Sequence, residues 1–334
     1  MKSTRTSRSR ILPWSVLAVA IGLAGSMAIS SAIMLSLLTQ AAIYAIFASG
    51  IGVLLRQSGV ASFGHAAFFG LGGYIIAILL NDGAVSAETA VILALVGIAV
   101  FAFLLGLVIV RVPGIAFAML TLAFGQLFYQ LASNSRSLTG GADGMTINWP
   151  NSLFGVSFST LLDQHVLFGI CWVALVLSLA ALAWLRHSRL GHVSEAIRDN
   201  IERASFIGIQ TLIPRALIFA VSAIIVGVAG ALSAVNTGFI SPESLHWSVS
   251  GSALMMVVVG GYRLVWGPAF GAIVFFLAKD WIGDYADHWL ALFGIALIIV
   301  VVFTDAGISG ALNRLIHKKR KGGPANGAVA AVKP

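Results

Sequence analysis

Apolar residues in this chain follow one another in long runs and do not alternate with polar ones. The stretch Val91–Val110, for example, is apolar on every side of a helix, whereas a transmembrane β-strand alternates apolar and polar residues over about ten positions. A helix needs roughly 20 apolar residues to cross a hydrocarbon core about 30 Å thick. Runs that approach this length predict spans near 11–29, 32–55, 59–80, 89–110, 114–132, 165–185, 215–236, 248–262, 264–280 and 288–304.

Two parts of this pattern, 59–80 and 248–280, are rich in Gly and contain polar residues. We expect short, broken or re-entrant helices there, because irregular backbone is tolerated at membrane depth only where protein or a cavity covers it. The segments Gly64–Tyr74 and Gly251–Tyr262 are also faintly similar, which suggests an inverted repeat. The predicted fold class is an all-α polytopic membrane protein with about 10 (8–10) transmembrane helices, some of them short or broken.

The composition supports a membrane protein and excludes most other classes. Of the 334 residues, 59% are hydrophobic and 10% are charged, whereas an ordinary soluble domain has about 25% charged residues. A soluble enzyme, a disordered chain or a nucleic-acid-binding protein does not carry this much apolar surface. Cys171 is the single cysteine, so the chain can form no intrachain disulfide, and the sequence predicts no metal site.

The positions of the charged residues predict the orientation. The net charge is +8, and every Lys and Arg except Arg136 and Lys279 falls on one side of the predicted spans. Positive residues collect on the cytoplasmic side of a membrane, so both termini are predicted to be cytoplasmic. The predicted parts are a basic N-terminus at 1–10, a transmembrane domain at 11–310 with a hydrophilic outer loop at 133–164 and a hydrophilic inner segment at 186–214, and a basic, disordered tail at 311–334.

The first apolar run, 11–29, follows several basic residues, as a secretory signal peptide does. Its length of about 19 residues exceeds the 7–15 that are usual for the apolar part of a cleavable signal. We therefore expect an uncleaved first span. Elsewhere the chain lacks the G-x-x-x-x-G-K-[ST] loop that binds ATP, and it lacks H-E-x-x-H, G-x-S-x-G and paired catalytic carboxylates. We predict that the chain is not an enzyme.

The inner segment predicts a short amphipathic helix. Ser194 is a suitable first residue, Gly208 can end the helix, and charged residues lie four apart, as Asp199 and Arg203 do. Such a helix is either a connector that lies on lipid or an element that docks into a groove of a partner protein. The residues assigned to it are Ser194, Glu195, Ala196, Ile197, Arg198, Asp199, Glu202, Arg203 and Gly208.

This inner segment resembles the coupling loop of ABC-importer permeases, specifically the branched-chain amino acid permeases of the LivH/LivM type. Each matching stretch alone is weakly specific, but five in one order are strong, and they cover roughly residues 35–305. Ser205 and Phe206 depart from the family pattern, in which smaller residues are expected. Besides the inner segment, the matching stretches, closer to LivM, are Leu55–Tyr74, Phe117–Gln126, Leu138–Met145, and Val258–Tyr262 followed by Gly267–Ala272.

The resemblance implies a permease subunit of an ABC importer in the bacterial cytoplasmic (inner) membrane, which forms the pathway for branched-chain or related amino acids. The implied partners are a second homologous permease, two ATP-binding subunits, an external substrate-binding protein and membrane lipid, with no nucleic acid. This chain would hold no cofactor, since ATP and Mg²⁺ belong to the ATP-binding subunits. The helix of the inner segment would transmit motion as a lever, with Arg198 and Arg203 facing acidic residues of the ATPase.

Other functions stay open on the residues alone. The chain could carry another small solute such as urea. It could instead be an ion-coupled secondary transporter, which would need an ion site within the membrane. A scaffold without transport activity is a third possibility, although a scaffold would not need spans broken by glycine.

Polar and small residues inside the predicted spans are candidates for the pathway. An intramembrane histidine such as His65 marks either a functional site or a side chain that bonds a backbone carbonyl. Gln126 and Gln130 lie four apart on one helical face and either line a passage or join two helices. The candidate pathway residues are Ser62, Gly64, His65, Gly72, Thr121, Gln126 and Gln130.

The outer loop contains a Gly-rich stretch around Asp143 that predicts a tight turn. This stretch is either an ordinary ordered loop or a docking surface for the external binding protein. The docking candidates are Arg136, Thr139, Gly140, Gly141, Asp143 and Gly144.

Overall fold

The computed structural model describes residues 3–83, 85–150, 152–153, 155–283, 294–295, 298 and 307–310, and all structural statements concern these residues. The helices are α1 (Ser3–Ala28), α2 (Ala32–Ser58), α3 (His65–Asn81), α4 (Ala87–Ile109), α5 (Gly114–Asn134), α6 (Arg136–Thr139), α7 (Phe158–Leu161), α8 (Gln164–Arg186), α9 (Arg189–Asp199), α10 (Ile201–Phe206), α11 (Leu212–Thr237), α12 (Trp247–Gly260) and α13 (Gly267–Gly283). The short strands are β1 (Met145–Thr146), β2 (Ser152–Leu153), β3 (Val156–Ser157) and β4 (Phe239–Ile240), and 3-10 turns lie at Gly141–Asp143 and Pro242–Leu245.

Five helices, α2, α4, α5, α8 and α11, are long and apolar enough to cross a membrane. Three further apolar helices are shorter, namely α3, α12 and the part of α1 from Pro13 to Ala28. Every span predicted up to residue 280 coincides with a helix, which confirms the all-α membrane fold. The predicted span 288–304 lies mostly, and the predicted tail 311–334 entirely, outside the described residues.

The centre of the molecule is the pair α2 and α11. Helix α2 packs against α8, α11, α12 and α13, and α11 also packs against α3 and α4. Glycines permit the close approach. A β-carbon at Gly50 of α2 would lie 2.7 Å from Val226 Cγ2 of α11, and one at Gly230 of α11 would collide with the carbonyl oxygen of Phe69. Small residues at such crossings let dispersion forces act over a large area, which drives helix association in lipid.

The pair α2 and α3 and the pair α11 and α12 run in opposite directions. Helix α9 contacts the end of α2 at Arg56 and leads through α10 into α11, so α2 and α11 run antiparallel. The short helices that follow them are antiparallel as well, since Leu245 packs against Gly70 while Ser250 bonds Ala66. In each half a long helix is followed by a break and a short helix, in agreement with the inverted repeat that the sequence suggests.

Helices α4 and α5 lie at the periphery. On α4 the alanines at 90, 94 and 102 are fully buried toward the core, whereas Val96 and Val100 are more than half exposed. This division into one packed and one open apolar face is typical of a helix that turns its outer face to lipid or to another subunit.

Candidate functional site

The chain between α2 and α3 forms a break deep inside the helical bundle. Helix α2 ends at Ser58, and Gly59 follows with a positive φ of 70°. Helix α3 starts at His65, whose side chain is fully buried and lies at the depth of Gly50 and Ser222. Gly50 lies eight residues before the end of α2, or about 12 Å at 1.5 Å per residue. The segment 59–64 therefore turns back into the bundle, in agreement with the short, broken or re-entrant helix expected for 59–80.

A closed hydrogen-bond network ties this break to both central helices. The hydroxyl of Ser222 donates to the carbonyl oxygen of Gly50 at 2.6 Å and lies 2.8 Å from Nε2 of His65. A serine has one proton to donate, so Nε2 of His65 donates to Ser222. Nδ1 then accepts the hydroxyl of Ser62 at 2.7 Å. The imidazole is thus neutral with both nitrogens satisfied, and this conformation offers no face of His65 to a pathway.

The start of α3 is further held by α5 and α12. The backbone N–H of Ala66 donates to the hydroxyl of Ser250 at 2.6 Å, and that of Phe63 donates to the hydroxyl of Thr121 at 3.3 Å. A β-carbon at Gly64 would collide with the carbonyl oxygen of Thr121, so glycine is required where α5 crosses the break. The structure therefore brings Ser62, Gly64, His65 and Thr121 together as one packed junction.

Some members of this junction were missed by the sequence analysis. Ser222 and Ser250 sit in apolar helices where a serine gives no distinctive sequence signal, because it also bonds its own helix readily. Gly72, a further pathway candidate, lies against the carbonyl oxygen of Gly227 at the crossing of α3 and α11. It is buried and serves helix packing.

Helix α5 carries the remaining pathway candidates on a more open face. Thr121 is buried against the break, whereas Gln130 is exposed. Gln126 is half-buried, and its Oε1 atom is inaccessible yet accepts no hydrogen bond from the described residues. Leu127, the next residue along the helix, is about half exposed. The face around Gln126 thus combines an unsatisfied amide with open apolar surface, unlike the closed junction at Thr121.

The outer loop is ordered and joins the ends of three helices. Strand β1 pairs antiparallel with β4 at the end of α11. At the end of α3, the Asn81 side chain donates to Thr146 O and accepts from Asn148 N, both at 2.8 Å. Thr139 donates to the carbonyl oxygen of Ala132 at the end of α5. Asn81 was not predicted, because its role depends on a strand 65 residues away.

The predicted turn around Asp143 is present. Gly140, Gly141 and Gly144 all have positive φ, between 70° and 77°, and a 3-10 turn runs through Asp143. Of the docking candidates, Arg136 and Asp143 are exposed, while Thr139 and Gly141 are buried. The first two remain available to a partner, and the last two hold the loop in shape.

The inner segment differs from its prediction as a single helix from Ser194 to Gly208. Helix α9 starts earlier, with Ser188 as its N-cap, and ends at Asp199. Ser194 is a buried interior residue that donates to the carbonyl oxygen of Leu190. Asn200 interrupts the helix with extended backbone, and its side chain caps α10 by accepting the N–H of Arg203 at 2.8 Å. Asparagine caps helices better than it continues them, which explains the interruption.

The end of the inner segment agrees with the prediction. Gly208 has a φ of 84°, its N–H bonds Ser205 O, and the N–H of Ile209 bonds Ala204 O. These bonds form a Schellman-type helix end, which commonly places glycine in this position. The residues of α10 and the two that follow it are exposed except Ala204, and Phe206 is the most open of them at 88%. Helix α10 is therefore a projection, whereas α9 packs against α2, α8 and α11.

The charged residues of the inner segment are also arranged differently from the expectation. Asp199 forms a salt bridge of 2.7 Å with its neighbour Arg198 and not with Arg203, four residues on. Arg198 also donates to the carbonyl oxygen of Arg56 at 2.5 Å. Glu202 and Arg203 are exposed on α10. The two arginines that were expected to act alike thus have different surroundings, one turned to α2 and one turned outward.

This combination of features defines a class of protein. The chain is a polytopic α-helical membrane protein in which two antiparallel short helices meet at a break inside the bundle, an arrangement typical of transporters. Within that class, the chain belongs to the family described as branched-chain amino acid transport system / permease component, whose model matches residues 33–302.

Individual relatives agree with the family. The high-affinity branched-chain amino acid transport system permease protein LivM of Salmonella typhimurium is 26% identical over 290 residues, covering 81% of this chain and 68% of the relative. The corresponding LivH protein of Escherichia coli is 26% identical over 292 residues, covering 81% of this chain and 92% of the relative. The autoinducer 2 import system permease protein LsrC of Escherichia coli is 28% identical over 174 residues, covering 48% of this chain and 49% of the relative. No solved structure matches the chain.

Proposed function

We propose that this chain is a permease subunit of an ABC importer for branched-chain amino acids in the bacterial inner membrane. It works with a second homologous permease, two ATP-binding subunits that hold ATP and Mg²⁺, and an external binding protein. Both termini lie in the cytoplasm. The observation that carries the proposal, besides the family, is helix α10. Its last residue, Phe206, and the next residue, Ile207, are 88% and 73% exposed, and exposed apolar side chains of this kind suit an element that docks into a groove of a partner.

The pathway in this proposal runs along the open face of α5. The buried amide oxygen of Gln126 has no hydrogen-bond partner among the described residues, and an unpaired acceptor at membrane depth costs free energy unless another molecule supplies a donor. A second permease or a passing solute would supply the missing donor. The junction of Ser62, Gly64, His65 and Thr121 supports this face from behind and does not contact the solute.

The LivM and LivH relatives favour a branched-chain amino acid as the substrate. LsrC, a permease for autoinducer 2 import, shows that similar chains carry other small solutes. The external binding protein would hold most of the specificity. Autoinducer 2 is therefore the second candidate, and a competition assay separates the two.

The test is purification of the tagged chain from its native cell in mild detergent, with mass spectrometry of what remains bound. We expect an ATP-binding subunit and a second permease in comparable amounts. Cells that lack the chain should lose uptake of radiolabelled leucine, and unlabelled autoinducer 2 should not compete. A chain that is stable alone, with uptake driven by a proton or sodium gradient, would instead show a secondary transporter.

The docking role of α10 is tested with Phe206→Ala. Truncating an exposed aromatic anchor at an interface should reduce the amount of bound ATP-binding subunit about tenfold. Phe239→Ala, which removes an exposed aromatic ring from strand β4 near the outer loop, is the matched control and should leave that amount unchanged. Equal amounts in both variants would contradict docking through α10.

A further inference from the structure

The side chain of Arg198 joins the inner segment to the end of α2. Its Nη1 donates to the carbonyl oxygen of Arg56 at 2.5 Å, while Nε and Nη2 both donate to Oδ1 of Asp199, at 3.1 and 2.7 Å. The methylene groups of Arg198 lie over Gly59, where a β-carbon would come within 3.0 Å of Cγ. The methylene groups, Nη1, and the pair Nε and Nη2 of Arg198 thus all make contacts within this subunit.

The Arg56 carbonyl needs such a partner. The last four carbonyl groups of a helix have no partner in the next turn, and α2 ends at Ser58. The backbone N–H of Gly59 donates a hydrogen bond to the carbonyl oxygen of Leu55. The Arg198 guanidinium donates to the carbonyl oxygen of Arg56. Its positive charge also complements the negative end of the helix dipole. Helix α9 therefore holds α2 at the point where α2 stops being helical.

From this point a short piece of chain leads to α5. Five residues separate Gly59 from His65, and they are not helical. At the end of this piece, Phe63 donates to the hydroxyl of Thr121, and the backbone of Gly64 lies directly against Thr121 O. Gly125, one turn further along α5, would bring a β-carbon to 3.2 Å from the α-carbon of Gly64. A displacement of the end of α2 that these five residues do not absorb would either move α5 or disrupt these contacts.

We propose that Arg198 is a positioning residue that transmits movement of the inner segment through the end of α2 and the segment 59–64 to helix α5. This inference rests on the proposed function. It assigns docking to α10, which projects beyond Asn200, and transmission to α9, which is packed. It also replaces the expectation that Arg198 faces an acidic residue of the ATPase, since its guanidinium is used within this chain.

The first experiment compares Arg198→Gln with Arg189→Gln in the whole transporter purified from native cells. Arg189 is exposed on the same helix, at its start, so the control removes the same charge. For Arg198→Gln we expect unchanged amounts of bound ATP-binding subunit and continued ATP hydrolysis. Uptake of radiolabelled leucine per ATP hydrolysed should fall about tenfold, a size typical of a lost coupling contact. Arg189→Gln should keep the original ratio.

Arg198→Lys guards against a variant that fails to fold. Lysine keeps the charge and can reach one acceptor, but it lacks the planar fork that serves Arg56 and Asp199 at once. The ratio of uptake to hydrolysis should lie between those of the original chain and of Arg198→Gln. A merely structural role would lower protein yield and leave this ratio unchanged, and that result would overturn the proposal.

The second experiment tests the far end of the connection. Thr121→Val keeps the size of the side chain and removes its bond to Phe63. Arg198 and Thr121 are proposed to lie on the same route of transmission. In that case, the fold reduction of leucine uptake in the double variant Arg198→Gln with Thr121→Val should be smaller than the product of the two single fold reductions. Independent, multiplicative losses would overturn the transmission.

The outcomes separate this inference from the proposed function. Loss of the ATP-binding subunit from Arg198→Gln would make Arg198 an interface residue and overturn transmission alone. A normal ratio of uptake to hydrolysis in Arg198→Gln would overturn it as well. An original chain that brings no ATP-binding subunit with it would overturn the proposed function, and the transmission with it.

Discussion

The junction around Ser222 of α11 and the face of the peripheral helix α5 around Gln126 both carry polar side chains at membrane depth, but in different surroundings. Ser222 on α11 bonds both His65 and the Gly50 carbonyl, and every polar atom of that group has a partner. On α5, the buried amide oxygen of Gln126 has no partner within the part of the chain that the structure describes, and Gln130 is exposed. Both regions look alike in composition, since each is an apolar helix with isolated polar residues.

This difference separates polar residues that stabilise the fold from polar residues that are available to bind a solute or a partner subunit. A satisfied group in a low-dielectric interior fixes one arrangement of its helices, and its loss leaves buried donors or acceptors unpaired. An unsatisfied group contributes little to the fold and is free to bind a solute or a partner subunit. Substitutions in the centre should therefore reduce stability, and substitutions on α5 should change transport.

The largest loss of stability is expected from a substitution at the contact between α3 and α11. Gly230→Leu would force a side chain against the Phe69 carbonyl, where even a β-carbon does not fit. Helices α3 and α11 would have to separate, at a cost of about 3 kcal/mol or more. We expect the folded protein to disappear from size-exclusion chromatography in detergent. Gly97→Ala on the open face of α4, where a β-carbon meets nothing within 4 Å, should behave normally.

An intermediate effect is expected from Ser222→Ala. The substitution leaves Nε2–H of His65 without its partner, which should destabilise the protein by about 1–3 kcal/mol. Thermal denaturation in detergent measures the loss. Ser252→Ala, which removes only a bond to its own helix α12, should change the midpoint little. Equal midpoints for the two variants would show that the His65 network does not stabilise the centre.

The smallest effect on stability, and the sharpest test of the comparison, is Gln126→Leu. Replacing an amide with a buried, unpaired oxygen should leave the denaturation midpoint unchanged or raise it slightly, by up to about 1 kcal/mol. Leucine uptake should nevertheless change severalfold, because the face of α5 loses its polar group. Leu127→Met at the exposed neighbouring position controls for packing. A strongly destabilised Gln126→Leu with normal uptake would place Gln126 among the structural residues.

Most helices could be located from the sequence. Runs of apolar residues have one stable form in lipid, because only a helix satisfies its backbone within a single segment. The glycines at 59–80 and 248–280 also indicated correctly that α3 and α12 are short. The inner segment was less predictable. Its charge spacing suited a continuous helix, but the capping preference of Asn200 divides it, and Ser188 starts it earlier.

Some residues of the candidate site could be recognised from the sequence, but which of them have hydrogen-bond partners could not. His65, Thr121 and Gln126 were all recognised as unusual, since polar residues are costly in a span. Whether each is satisfied depends on Ser222, Ser250 and the break at 59–64, which are distant in the sequence. Likewise, Arg198 and Arg203 looked equivalent as two arginines of one amphipathic helix, and only the position of α2 distinguishes them.

The sequence by itself determined the membrane class, the helical spans, the places where they shorten and the family. The first three follow from local composition and from the need to satisfy backbone hydrogen bonds in lipid, and the family follows from the resemblance of sequence motifs. The tertiary structure alone decided which polar groups are paired, which glycines lie at crossings, and which arginine turns inward. The reason is that hydrogen bonds and close helix contacts are made by residues far apart in the chain. The local sequence pattern does not indicate which distant residues come into contact.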